Sequence, residues 1–237
     1  GINDSTWQRS YSFSYGEPYF NIDGVSRGYS AYFRESDYGQ FNIASYTSDS
    51  FGVGIQFGLP ISDIERIGLN LNYDNTSIDT GSTPASQILA FTQSEGTKFE
   101  VFKTQFIWSK VTLNRGLFPT AGQSQSFALQ VAVPGSSLTY SKLTYRHKYF
   151  KPIFDGRFVL GFRGEIGALE PYGDTEVAPF FEHYYAGGIS SVRGFKQNTL
   201  GPRAIPSQFY LDNEGNPITG DDGNPILNPY SYYRDDR

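Results

Sequence analysis

The sequence predicts an all-β protein and, within that class, part of a transmembrane antiparallel β-barrel. Three observations predict it. Aromatic residues are abundant: 20 Phe, 18 Tyr and 2 Trp among 237 residues, with 26 Gly beside them, a composition that suits pleated strands better than helices. Apolar and polar residues alternate with a period of two in several separate segments. The polar side of that alternation is Gly, Asn, Gln and Ser with scattered Arg and Glu, whereas a soluble sandwich turns a charged face to water. Alternation by itself does not tell apolar-out from apolar-in, so a soluble β-sandwich stands as the second reading.

Eight strands are expected in chain order. The first two, over residues 7–15 and 25–34, alternate weakly. In the third, Phe51, Val53, Ile55, Phe57 and Leu59 alternate with Gly52, Gly54, Gln56 and Gly58. The fourth sets Ile67, Leu69, Leu71 and Tyr73 against Gly68, Asn70, Asn72 and Asp74. A weaker fifth covers residues 101–114. In the sixth, Phe127, Leu129, Val131 and Val133 alternate with Ala128, Gln130 and Ala132. A weaker seventh covers 138–150, and the eighth sets Phe158, Leu160, Phe162 and Ile166 against Val159, Gly161, Arg163 and Glu165. Strands of about 9–11 residues suit a tilted crossing of the bilayer.

The connections alternate in length. Those at 16–24, 61–65, 116–122 and 153–157 are short and rich in turn residues; those at 35–49, 75–98 and from 170 onward are long, with 135–137 a short exception. Outer-membrane barrels have short periplasmic turns and longer outside loops. On that rule the odd-numbered strands run inward and the even-numbered strands outward. The chain then divides into a partial barrel of about eight strands over 1–169 and a long outside loop over 170–237. A connection of that length is expected to be functional.

Several function classes are disfavoured. Nineteen basic and 24 acidic residues give a net charge of −5, the wrong sign for a nucleic-acid binder. The absence of Cys excludes a disulfide scaffold, thiolate metal sites and a cysteine nucleophile. Two histidines, His147 and His183, are too few for a histidine-built metal site. No apolar run is long enough for a membrane-spanning helix, and no N-terminal signal is visible. The absence of Met is read as the mark of a processed product or a piece of a longer chain. No Ser, Asp and His set suggests a hydrolase triad. Gly52-Val53-Gly54 lacks the third glycine of a dinucleotide turn. No catalytic residue, metal or cofactor is expected.

His147 reads as a lumen-facing or interfacial histidine and His183 as a polar position in the aromatic run 180–185. Gly-Asn-Pro-Ile occurs at 215–218 and again at 223–226, near Asp212, Glu214, Asp221 and Asp222. It reads as a solvated, turn-rich excursion in preference to a calcium loop. The glycosylation sequon at Asn75 reads as chance.

The distinctive segment is 184–202, which holds Gly187-Gly188 and then Val192-Arg193-Gly194-Phe195. Its glycines open backbone conformations closed to other residues. Val192 and Phe195 are apolar anchors on either side of a single charge. Such a loop, folded back into a lumen, could plant the Arg193 guanidinium against a wall carboxylate through paired hydrogen bonds. An exposed loop arginine is the alternative, and composition alone favours it.

This segment resembles the Val-Arg-Gly-Phe loop of the BamA family of outer-membrane protein assembly factors. The flanks match as well: Tyr185-Ala186-Gly187-Gly188 before it and Asn198-Thr199-Leu200-Gly201-Pro202 after it. Phe118-Pro119-Thr120-Ala121-Gly122 resembles the family's periplasmic turn, and Glu17-Pro18-Tyr19-Phe20 and residues 131–135 also fit. The resemblance runs from about residue 7 to 202. It implies a sixteen-stranded barrel of which this chain holds the fourth to eleventh strands. Periplasmic repeats would precede Gly1, and the seam that opens as a lateral gate would lie outside both ends. It also implies that Val192, Arg193, Gly194 and Phe195 act from the sixth outside loop, with the arginine's acidic partners on later strands. Within this chain Glu165 is the candidate neighbour. The implied function is insertion of β-barrel proteins into the bacterial outer membrane, without a cofactor. The implied partners are unfolded barrel substrates, the lipid bilayer and, through the periplasmic repeats, accessory lipoproteins. Two-partner secretion and TamA-type translocation barrels share the central motif. They are the alternative, and the flank at 198–202 favours the assembly factors.

Overall fold

The computed structural model describes residues 1–5, 8–37, 46–80, 85–202, 207–212, 216–221 and 223–228. Its strands are β1 (Ile2–Asp4), β2 (Gln8–Glu17), β3 (Ser26–Asp37), β4 (Thr47–Pro60), β5 (Glu65–Asp79), β6 (Lys98–Val111), β7 (Gly122–Ala132), β8 (Tyr140–Ile153) and β9 (Phe158–Pro171). They form one sheet in sequence order, every neighbour antiparallel. Eight strands were expected and the described residues hold nine. The addition is β1, whose three residues are too few to display a period.

The alternation sets the register. Tyr73 lies opposite Val53 on one side and Phe102 on the other, its ring 4.9 Å from that of Phe102. Leu69 lies opposite Phe106, and Phe106 opposite Leu129. A slip of one residue would exchange the two faces of a strand, so this matching fixes the pairing. Among the described residues the apolar face packs against no second layer. Phe13, Phe51, Leu71, Phe102, Phe162 and Ile166 on it are all exposed. This is the inverted pattern of a strand facing lipid.

The opposite face carries Asn72, Asp74, Lys103, Gln105, Gln130 and Lys142. Its glycines leave room for neighbouring polar side chains. A Cβ at Gly52 would overlap the Tyr32 ring and the Asp74 carboxylate, and one at Gly54 would overlap the Asn72 amide. Glycine within a strand commonly marks such a close approach.

Several strands exceed the expected length; β4, β6, β8 and β9 have 14 residues each and β5 has 15. The extra length comes partly from polar runs such as 47–50 and 75–77 at the long-loop end. The hydrophobic pattern ends there, but backbone pairing does not need it. The long connection after β5 contains a helix, α1 (Ser86–Glu95), which strand-based reading leaves as loop. Ile88 and Phe91, three positions apart on α1, are buried. They join Tyr46, Ile78, Phe99, Val101, Leu138 and Tyr140 in a core with Phe180 and Phe181 against it. No helix among the described residues is long and apolar enough to cross a membrane.

Candidate functional site

A short 3-10 turn, Phe180–Glu182, follows β9 in the long final connection. It sets Glu182 against the polar face of β6 and β8. Lys103 Nζ donates to Glu182 Oε1 at 2.8 Å, and Lys142 Nζ to Oε2 at 2.9 Å and to the Glu182 carbonyl at 2.7 Å. Tyr140 Oη also donates to Oε1, at 2.8 Å. The network continues along the sheet. Lys103 pairs with Asp74 at 3.1 Å, and Tyr32 Oη donates to Asp74 Oδ1 at 2.8 Å. Two ammonium groups thus meet two carboxylates. The Glu182 and Lys103 side chains are only 16% and 15% exposed, so each charge depends on its partners. Burial would raise the Glu182 pKa, but the Lys103 and Lys142 charges outweigh it and hold the carboxyl at about 2.

Tyr184 makes the next contact. Its hydroxyl donates to the Leu143 carbonyl at 2.7 Å and lies 2.6 Å from Thr144 Oγ1. Gly167 on β9 makes this possible, since a Cβ there would overlap the Tyr184 ring. Half-burial next to Lys142 disfavours the charged form of His183 and lowers its pKa.

Beyond Tyr184 the chain closes on itself. Ala186 and Leu200 exchange backbone hydrogen bonds of 2.7 and 2.9 Å, and Gly188 N–H donates to the Phe195 carbonyl at 3.0 Å. Gly187 sits at φ 114°, where a Cβ would strike the Lys196 carbonyl; Gly188 and Gly194 also have positive φ. Ser191 Oγ bridges the Gly187 N–H and carbonyl, 2.8 Å from each. Val192, Arg193, Gly194 and Phe195 are gathered at the exposed tip. Arg193 makes no ion pair among the described residues. Glu165, its candidate neighbour, pairs instead with Arg146 at 3.0 Å. Arg163 Nη1 donates to the Ser190 carbonyl at 3.0 Å, and a cleft of about 430 Å³ separates Val192 and Ser191 from Arg163 and Glu165.

The turn motif lies at the other end of the sheet, in the connection 112–121. Asn114 organises it, accepting from the Thr120 and Ala121 N–H groups at 3.1 and 3.2 Å and donating to Thr120 Oγ1 at 2.8 Å. Pro119 is half-buried, whereas Phe118 is 87% exposed at φ 49°. Gly122 opens β7 at φ 97°, where a Cβ would overlap the Thr112 carbonyl. His147 lies on the apolar face, not the lumen-facing side, near the short-turn end, beside Tyr145 and Phe162 and 3.3 Å from Gln123 Oε1. Of the acidic residues near the repeated Gly-Asn-Pro-Ile, Asp212 accepts from Asn216 N–H at 2.8 Å; Glu214 and Asp222 lie outside the described residues. No cluster of metal-ligating side chains occurs among the described residues.

Glu182 is the residue that sequence reading missed. It stands between Phe181 and His183, and its lysine partners are far away in the chain. The signal available was a lone carboxylate in an aromatic run, facing strands whose polar side carries Lys103 and Lys142.

An exposed apolar face, a polar face with a desolvated charge network, and a long loop laid on that network define the wall of a membrane-spanning β-barrel. Known proteins agree with this class. The Omp85 superfamily domain matches residues 2–223. The outer membrane protein assembly factor BamA of Neisseria meningitidis serogroup B is 33% identical over 202 residues, covering 81% of this chain and 25% of that protein. A SAM50-like protein of Drosophila melanogaster is 26% identical over 172 residues, covering 72% of this chain and 38% of that one. The crystal structure of Haemophilus ducreyi BamA lacking POTRA domains 1–3 superposes with a TM-score of 0.79 at 25% identity, covering 96% of this chain and 47% of that one. The chain belongs to the Omp85 superfamily, as part of a BamA-type β-barrel of the bacterial outer membrane. It spans a quarter of the length of its Neisseria relative.

Proposed function

We propose that the parent protein is the core insertase of an outer-membrane assembly machinery, folding and inserting β-barrel proteins. The observation that carries this reading is 33% identity to an outer-membrane assembly factor over 81% of the chain. The work breaks no covalent bond and uses no cofactor. An unpaired strand edge of the completed barrel templates a substrate strand through backbone hydrogen bonds. Membrane thinning beside a poorly closed seam lowers the cost of insertion. The partners are unfolded barrel substrates, the surrounding bilayer, and accessory lipoproteins docked on periplasmic repeats.

In this reading residues 1–169 are wall and residues 170–237 form an outside loop that enters the lumen. Val192, Arg193, Gly194 and Phe195 are its working tip, with Gly187 and Gly188 supporting it. The acidic partner of Arg193 is supplied by another part of the barrel. Phe118, Pro119, Thr120 and Gly122 shape a periplasmic turn. The test is depletion of the parent protein in its own cell, followed by quantification of folded outer-membrane proteins. Broad loss of many barrels is the expected result. Loss of one secreted protein, with other barrels intact, would replace the insertase with a dedicated translocation barrel.

A further inference from the structure

We infer that Glu182 is the positioning residue of the Val-Arg-Gly-Phe loop: it pins the base of that loop to the wall and ties it to the connection that carries α1. The inference concerns where the loop sits and does not depend on the insertase reading.

The first support is the asymmetry of the loop's attachments. Among the described residues its exposed tip is bonded to the wall through Arg163, which donates to the Ser190 carbonyl at 3.0 Å. Its base has a carboxylate held by Lys103 of β6, Lys142 of β8 and Tyr140 of β8, all at 2.8–2.9 Å. Lys103 in turn engages Asp74 of β5. Two wall strands, β6 and β8, therefore converge on the Glu182 carboxylate, with β5 linked to it through Lys103, and Tyr184 adds its own bond to β8. Ala186 and Leu200, which close the loop, lie just beyond these contacts.

The second support is the other side of the same turn. Phe180 meets Phe91 of α1 edge-on at 5.3 Å and Tyr46 at 4.9 Å, and the Phe181 ring lies 5.8 Å from Phe99 and 6.4 Å from Phe91. Phe91 and Phe99 are buried. Three consecutive residues thus face two environments, an aromatic cluster shared with α1 and a charge cluster on the wall. Without the carboxylate, two desolvated ammonium groups would have only Asp74 among the acidic residues of this network. The base would then lift, and the aromatic contacts with α1 would loosen with it.

The test is hydrogen exchange on the full-length parent protein, folded in lipid bilayers, for the wild type and for Glu182→Gln, Lys142→Met and Arg193→Ala. Samples are first checked for barrel folding by heat-modifiable gel mobility. In Glu182→Gln the Ala186, Gly188 and Leu200 amides should exchange roughly 100-fold faster or more, the scale set by breaking a buried ion pair. Amides of α1 should speed up with them, while those of β6 and β8 keep their protection. Lys142→Met should give the same pattern, and Arg193→Ala should leave Ala186 and Leu200 protected. Unchanged protection of 184–200 in both anchor variants would overturn the inference. So would equal loss of protection in β6 and β8, or an Arg193→Ala effect on the loop base as large as that of Glu182→Gln. The readout is independent of substrate assembly, so its failure and that of the insertase reading are separable.

Discussion

The two faces of the sheet use the same period-two alternation for opposite purposes. On one face Leu71, Phe102 and Phe106 are exposed and meet no protein layer. On the other, one residue along each strand, Asn72, Lys103 and Gln105 line a polar surface that becomes crowded where the final loop lies on it. The apolar face is stabilised by its solvent, the bilayer interior. The polar face is held by specific partners, because a desolvated charge has nothing else to rely on. The difference teaches where substitutions should matter. The apolar face tolerates change of shape and resists charge; the polar face depends on particular atoms.

The largest expected effect is on the polar face. Glu182→Ala strands Lys103 and Lys142 and should cost about 3–5 kcal/mol, measured as a lowered urea midpoint for the folded barrel in bilayers. The same clamp sets an acid dependence. The Glu182 pKa is lowered in the folded state, so its contribution is complete above the unfolded carboxyl value of about 4.3. It is lost as pH falls from there toward about 2. Exchange protection of Ala186 and Leu200 should therefore hold from neutral pH to about 4.3 and fall only below it; loss between pH 7 and 5 would assign the anchoring to another group.

Next comes the apolar face. Leu71→Arg should destabilise the folded barrel by about 2–4 kcal/mol if the position lies near the bilayer midplane. Gln105→Arg, pointing the other way, should cost much less in the same urea titration. Equal costs would erase the distinction between the faces. A smaller effect is expected where the final loop meets β9. Gly167→Val forces Tyr184 off the wall and should cost about 1–3 kcal/mol as overpacking. Loss of Leu143 carbonyl and Tyr184 contacts would be read from exchange in 184–200, with the β8–β9 ladder intact.

Much of this was legible in the sequence because much of it is local. Phe51 to Leu59 and Ile67 to Tyr73 announce strands by their period, and Gly187-Gly188 with Val192 to Phe195 announces a loop with special backbone demands. The rest depends on contacts between distant segments. Glu182 looks ordinary until β6 and β8 bring Lys103 and Lys142 to it. Residues 47–50 and 75–77 lack the apolar alternation, yet they continue the ladder because their neighbours already pair. Helix α1 owes its burial to tertiary packing of Ile88 and Phe91 rather than to any visible cap, and the Ala85 N-cap makes no side-chain hydrogen bond. Gly52 and Gly54 are plain in the pattern, but their reason, the room taken by Tyr32, Asp74 and Asn72, lies on neighbouring strands.

The most direct measurement compares two adjacent residues of β5. Nitroxide labels at Leu71→Cys and Asn72→Cys, in the full-length parent protein in bilayers, report collision with oxygen, which concentrates in lipid, and with a water-soluble nickel chelate. A lipid-facing apolar side requires high oxygen and low nickel accessibility at 71, and the reverse at 72. Nickel access at 71 with shielding at 72 would contradict it and return the sheet to the ordinary arrangement of a soluble sandwich.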